Sequence, residues 1–80
     1  MDRSEGRTEF AVFCHNLLFL RRQHGYSKKR MAKILGIGIG TLDRLERGEM
    51  PPRLGTNILA AVHAHFGISP SRQFAEWLDP

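Results

Sequence analysis

The sequence predicts an all-α domain of five short helices. Three observations carry this. Apolar residues recur at three- and four-residue steps along most of the chain, the period of a helix with one buried face. Glycine stands just past four of these stretches, at Gly25, Gly36, Gly48 and Gly67, where helices commonly end in a left-handed residue. No segment alternates apolar and polar residues in the way a half-buried strand does.

Residues 1–7 are polar and read as a flexible arm, with the domain proper at 8–80. From Thr8 the first helix places Phe10, Phe13, Cys14, Leu17, Leu20 and Arg21 on one face, and Gly25 closes it after Arg22 and His24, cations that suit a helix C-terminus. Leu18 and Phe19 fall beside this stripe, either widening the core or leaving an apolar surface patch. Ser27 is an N-cap for a second helix, Lys28 to Leu35, with Met31, Ala32 and Leu35 inward. Ile37 plugs the turn after Gly36. A third helix, about Gly38 to Arg47, buries Leu42 and Leu45. Pro51 and Pro52 stiffen the loop that follows. A fourth helix from about Leu54 to Phe66 turns Ile58, Leu59, Val62 and Phe66 inward. Ser69-Pro70 reads as N-cap and first turn of a fifth helix through Leu78, with Phe74, Trp77 and Leu78 apolar.

Eighty residues make one domain, too small for a cofactor-binding unit beside a catalytic cleft. The net charge is +4, and its distribution says more than its size. No acid stands between Glu9 and Asp43, while that stretch holds Arg21, Arg22, Lys28, Lys29, Arg30 and Lys33; the rest of the chain is net negative. A concentrated basic block suits a polyanion, nucleic acid before an anionic membrane surface. The single cysteine, Cys14, excludes an intrachain disulfide or a multi-cysteine zinc site, and its apolar neighbours make it a core thiol. His63 and His65 stand two apart, on different faces of a helix, so no metal site is expected. No glycine pattern cradles a phosphate-bearing cofactor, so none is expected, and no polar cluster suggests an enzyme. The apolar run from Phe10 to Leu20 is too short to span a bilayer and lacks a signal-peptide cleavage site, giving the expectation of a soluble cytoplasmic protein.

Two short helices joined by a glycine turn, within the most basic part of the chain, form a helix-turn-helix at about 27–47. The layout needs a small residue where the helices cross (Ala32), a residue free to take positive φ in the turn (Gly36), and apolar residues locking the second helix on the first (Ile37, Leu42, Leu45). All five are present at the required spacing. The runs Leu20 to Ser27, Met31 to Ile37 and Thr41 to Gly48 resemble the Xre/Cro, lambda-repressor-like DNA-binding domains, over roughly residues 10–69. The resemblance implies a compact five-helix fold, a recognition helix in the major groove, and a dimer on a two-fold site. It also implies that Arg21 and Glu46 form a partly buried structural ion pair. Lys28 stands where the family commonly has a phosphate-touching Gln, and Gly38-Ile39-Gly40 replaces a commonly polar, base-reading opening.

These readings give a DNA-binding regulator, a repressor acting by promoter occlusion. Ile39, Gly40 and Arg44 are the expected base-edge residues: Ile39 can meet a thymine methyl and Arg44 can grip guanine. Lys28, Lys29, Thr41, Arg47 and Arg53 are the expected phosphate contacts. The alternative is a protein-interaction module of the same fold, such as an antitoxin that binds a toxin partner and autoregulates, motivated by Leu18, Phe19 and the donor-poor Gly38-Ile39-Gly40 surface.

Overall fold

The computed structural model describes residues 4–51, 55–75 and 78, and within them five α-helices and no strand. They are α1 (Ser4–Gln23), α2 (Lys28–Leu35), α3 (Ile39–Glu46), α4 (Thr56–Phe66) and α5 (Pro70–Ala75). The first helix begins at Ser4 rather than Thr8, so residues 4–7, expected in the arm, are helical. They carry no apolar signal, but extending a formed helix fixes one residue per added hydrogen bond, whereas starting one fixes several. Residues 76 and 77, including Trp77 of the expected fifth helix, lie outside the described residues, as do Pro52, Arg53 and Leu54.

Each helix is placed by the face it buries. From α1 come Val12, Phe13, Cys14, Leu17 and Leu20; from α2, Met31, Ala32 and Leu35; from α3, Leu42 and Leu45; from α4, Ile58 and Val62. With Ile68 from the α4–α5 connection they make one core. Phe13 stacks on Phe74 of α5, rings 4.7 Å apart and nearly parallel. The first helix packs on α3 and α5, α2 packs on α3 and α4, and α4 packs on α5. So α3 is held from two sides, by α1 and by α2.

Two buried polar residues tie the far end of this core. Asn16 donates from Nδ2 to the Gln73 carbonyl (2.9 Å) and accepts from the Leu78 N–H (2.9 Å). Gln73 donates from Nε2 to the carbonyls of Leu59 (3.1 Å) and Ile68 (2.9 Å). A buried amide without such partners would destabilise the fold, so this network fixes α5 against α1 and α4.

The turn that positions α3 follows from local chemistry. Ser27 Oγ accepts from the Arg30 N–H and starts α2. Gly36 ends it at φ 71°, and the Ile37 N–H then reaches back to the Ala32 carbonyl at 3.0 Å, closing the helix and turning the chain sharply. Ala32, 2% exposed, lies under this crossing.

Candidate nucleic-acid interface

The buried side of α3 leaves its other side to solvent. Leu42 and Leu45 are fully buried, and Ile39, Gly40, Arg44 and Arg47 are exposed. Ile39 is 48% exposed, unusual for a large apolar side chain. Gly38 caps α3 in an extended conformation with no side-chain hydrogen bond. A Cβ at Gly38 or Gly40 would meet nothing within 4 Å, so neither glycine is required by packing. The first turn of α3 is therefore a bare backbone surface with one apolar side chain beside it.

The orientation of α3 is set by a fork of charge. Arg21 on α1 donates from Nε to Glu46 Oε2 at 2.5 Å and from Nη2 to Oε1 at 3.0 Å. Its Nη1 donates to the Tyr26 carbonyl at 3.2 Å. The side chains are 17% and 7% exposed, so the geometry is bidentate and largely shielded from water. One guanidinium thus joins α1, the loop before α2, and the last residue of α3.

The expected phosphate contacts fall into distinct groups. Lys29 is exposed and makes no ion pair among the described residues, and the same holds for the base-edge candidate Arg44. Thr41 is half-buried. Arg53 lies outside the described residues, so its expected role has no structural setting here. Lys28 and Arg47 converge instead on a residue that sequence reasoning missed. Lys28 Nζ lies 2.6 Å from Asp43 Oδ1, and Arg47 Nη1 lies 2.6 Å from Asp43 Oδ2. Arg47 Nε also reaches Glu49 Oε2 at 2.9 Å. The hydrogen bond and charge of Lys28, with Arg47 adding to them, hold the Asp43 carboxyl below its ordinary range. Half of this cluster had a signal in the sequence, because Asp43 and Arg47 stand four apart on one helix face, acid first.

Two further features lie on α1, α2 and α4. Arg30 lies over the Tyr26 ring, 5.2 Å from its centroid, and the Tyr26 hydroxyl meets His65 Nε2 at 3.2 Å. This contact joins the start of the helix-turn-helix to α4. On α1, Leu18 and Phe19 line a groove of about 390 Å³ together with His15, Arg22 and Gln23. Among the described residues no helix is long and apolar enough to cross a membrane.

A helix-turn-helix whose second helix is braced from behind and bare in front, on a basic surface, defines a class of DNA-binding domains. Residues 17–72 match the helix-turn-helix family model, and the chain belongs to that family in its Xre/lambda-repressor-like form. No curated protein and no solved structure gives a significant match.

Proposed function

We propose that this chain is a sequence-specific duplex-DNA-binding repressor that acts in the cytoplasm by occluding a promoter, as a homodimer on a two-fold site. The observation that carries this reading is the outward face of α3. Ile39, Gly40 and Arg44 form a strip free of packing duties, while Leu42, Leu45 and Glu46 anchor the same helix from behind. Inserted in the major groove, Arg44 would present its paired donors to guanine O6 and N7, and Ile39 would meet a thymine methyl. Lys28 and Lys29 at the start of α2, with Thr41 and Arg47, flank the strip and would take backbone phosphates; Arg53 is assigned the same role from sequence alone. The domain in this reading takes in the start of α1 at Ser4 rather than beginning at residue 8. Action is by occupancy, with no catalytic step and no cofactor.

Selection of bound sites from a random duplex pool tests the reading. Enrichment of a common, two-fold site supports it; recovery of unrelated sequences at low salt removes the sequence-specific part.

A second reading is favoured by the groove at Leu18 and Phe19. In it the same fold is an antitoxin that holds a toxin partner there and regulates its own promoter. Co-expression with a neighbouring toxin-like reading frame discriminates: rescue of growth that Leu18→Glu abolishes would favour it.

A further inference from the structure

The Lys28–Asp43–Arg47 cluster has a geometry that exposed ion pairs do not require. One carboxylate receives two cations, one on each oxygen: Lys28 from the start of α2 and Arg47 from the residue that caps α3. A backbone phosphate offers the same arrangement, two anionic oxygens able to take one cation each. Lys28 and Arg47 are both exposed and flank the recognition surface. Asp43 itself lies four residues after Ile39 and three after Gly40, so it shares their face of α3 and stands beside Arg44.

We propose that Asp43 is a specificity-determining residue: it stands in for a DNA phosphate between Lys28 and Arg47, and it must find a base-edge donor when DNA displaces it. The inference rests on the DNA-binding reading above. When a duplex docks, its phosphates compete for Lys28 and Arg47. If both cations leave, the Asp43 carboxylate is left facing the groove without its partners. Carbonyl and ring-nitrogen acceptors at a base edge repel it, whereas the amino group of cytosine donates to it. A site with cytosine at that step completes the exchange. Random duplex mostly does not, and binds more weakly for either of two reasons: the cations stay on Asp43, or Asp43 is left unpartnered. The residue therefore weakens non-specific binding more than specific binding. Arg44 makes no ion pair among the described residues.

The test is Asp43→Asn, titrated by fluorescence anisotropy on the selected site and on scrambled duplex over a range of salt. The expected result is roughly three- to tenfold tighter binding to scrambled duplex, the size of two weak exposed pairs released. The salt slope on that duplex should steepen by about one to two, as two cations become available to phosphate. The selected site should gain less, and its cytosine preference at one step should weaken, because the Asn amide still accepts from an amino group but its NH2 also pairs with base-edge acceptors. Because removing any negative charge favours DNA, the same substitution is made in a Lys28→Gln/Arg47→Gln background, where tightening should fall below about twofold. Equal tightening in both backgrounds would reduce Asp43 to net charge and overturn the proposal. An unchanged ratio of selected to scrambled affinity would overturn it too, with DNA binding itself intact. Failure of the unsubstituted protein to bind any duplex at low salt would overturn the DNA reading and this proposal together. Thermal melting of each variant shows that the fold is retained.

Discussion

Arg21 and Glu46 meet in a two-pronged contact, Nε to Oε2 at 2.5 Å and Nη2 to Oε1 at 3.0 Å, although they lie on the first and third helices. The pair fixes the C-terminal end of α3 to α1, while Ala32 and Ile37 fix its approach from α2. Breaking one side leaves a shielded charge without its partner. Arg21→Ala and Glu46→Ala should each destabilise the fold by about 3 kcal/mol, the lower end for buried pairs because Arg21 retains some exposure. The double variant should lose less than the sum. A urea denaturation cycle that gives simple additivity would show the two charges to be uncoupled.

The glycines of the helix-turn-helix should behave oppositely on substitution. Gly36 sits at φ 71°, a conformation that strains any side chain, so Gly36→Ala should lower stability by about 1 kcal/mol. Gly40 is helical with open space where a Cβ would stand, so Gly40→Ala should raise stability by about 0.5–1 kcal/mol. Thermal melts of both variants check this. A loss at Gly40 would mean that its helix needs the glycine for something other than groove contact.

Cys14 is 4% exposed, and burial pushes its thiol up to about 11. A thiol raised above its unfolded value keeps its proton longer in the folded state. Its contribution to stability is therefore complete below about pH 9 and is lost as pH rises through about 11. Cys14→Ala should flatten that part of the stability profile. At pH 8 the folded thiol should alkylate far more slowly than in denaturant, since the raised pKa cuts the thiolate fraction and burial blocks access besides. Native alkylation at the denatured rate would place Cys14 at the surface.

Reading a base and holding a backbone should separate by variant. Arg44→Ala should lower affinity for the selected site by about 1–3 kcal/mol and relax preference at one base pair. Lys29→Ala, at a lysine in the first turn of α2 with no ion pair among the described residues, should weaken all duplexes alike and reduce the salt slope by about one for each phosphate no longer neutralised. Lys28→Ala should weaken binding by less than Lys29→Ala, and more on the selected site than on scrambled duplex, because Lys28 is engaged by Asp43 until the exchange. If Arg44→Ala lowers selected and scrambled affinities equally, Arg44 is a phosphate clamp and direct readout is left to Ile39, the bare backbone of Gly40 and Asp43.

Most of the fold was legible because it rests on local signals. Helical period and glycine stops place α2 and α3 to within a residue or two, and Ala32, Gly36, Ile37, Leu42 and Leu45 place the turn between them. The Arg21–Glu46 contact was legible only through resemblance, since nothing local in either helix names its partner. The extension of α1 to Ser4 carried no apolar marker. Asn16 and Gln73 were not legible as a pair: a buried amide is explained only by partners brought close by the fold, and these two stand 57 residues apart. Asp43 was missed for a related reason. Its spacing to Arg47 is local, but the approach of Lys28 depends on how α2 crosses α3. Charge counting treats Lys28 and Arg47 as free cations, and the structure shows both already engaged.

In the DNA-binding reading, this basic surface holds a duplex through its phosphates while α3 reads a site. The most direct measurement is a salt titration of binding to the selected duplex and to scrambled duplex. With about four to six phosphate contacts per monomer, the logarithm of affinity should fall with the logarithm of salt by about 0.9 per contact on the selected site, and that site should remain the tighter at every salt. Binding that is flat between low and physiological salt, or absent at low salt, would contradict the account.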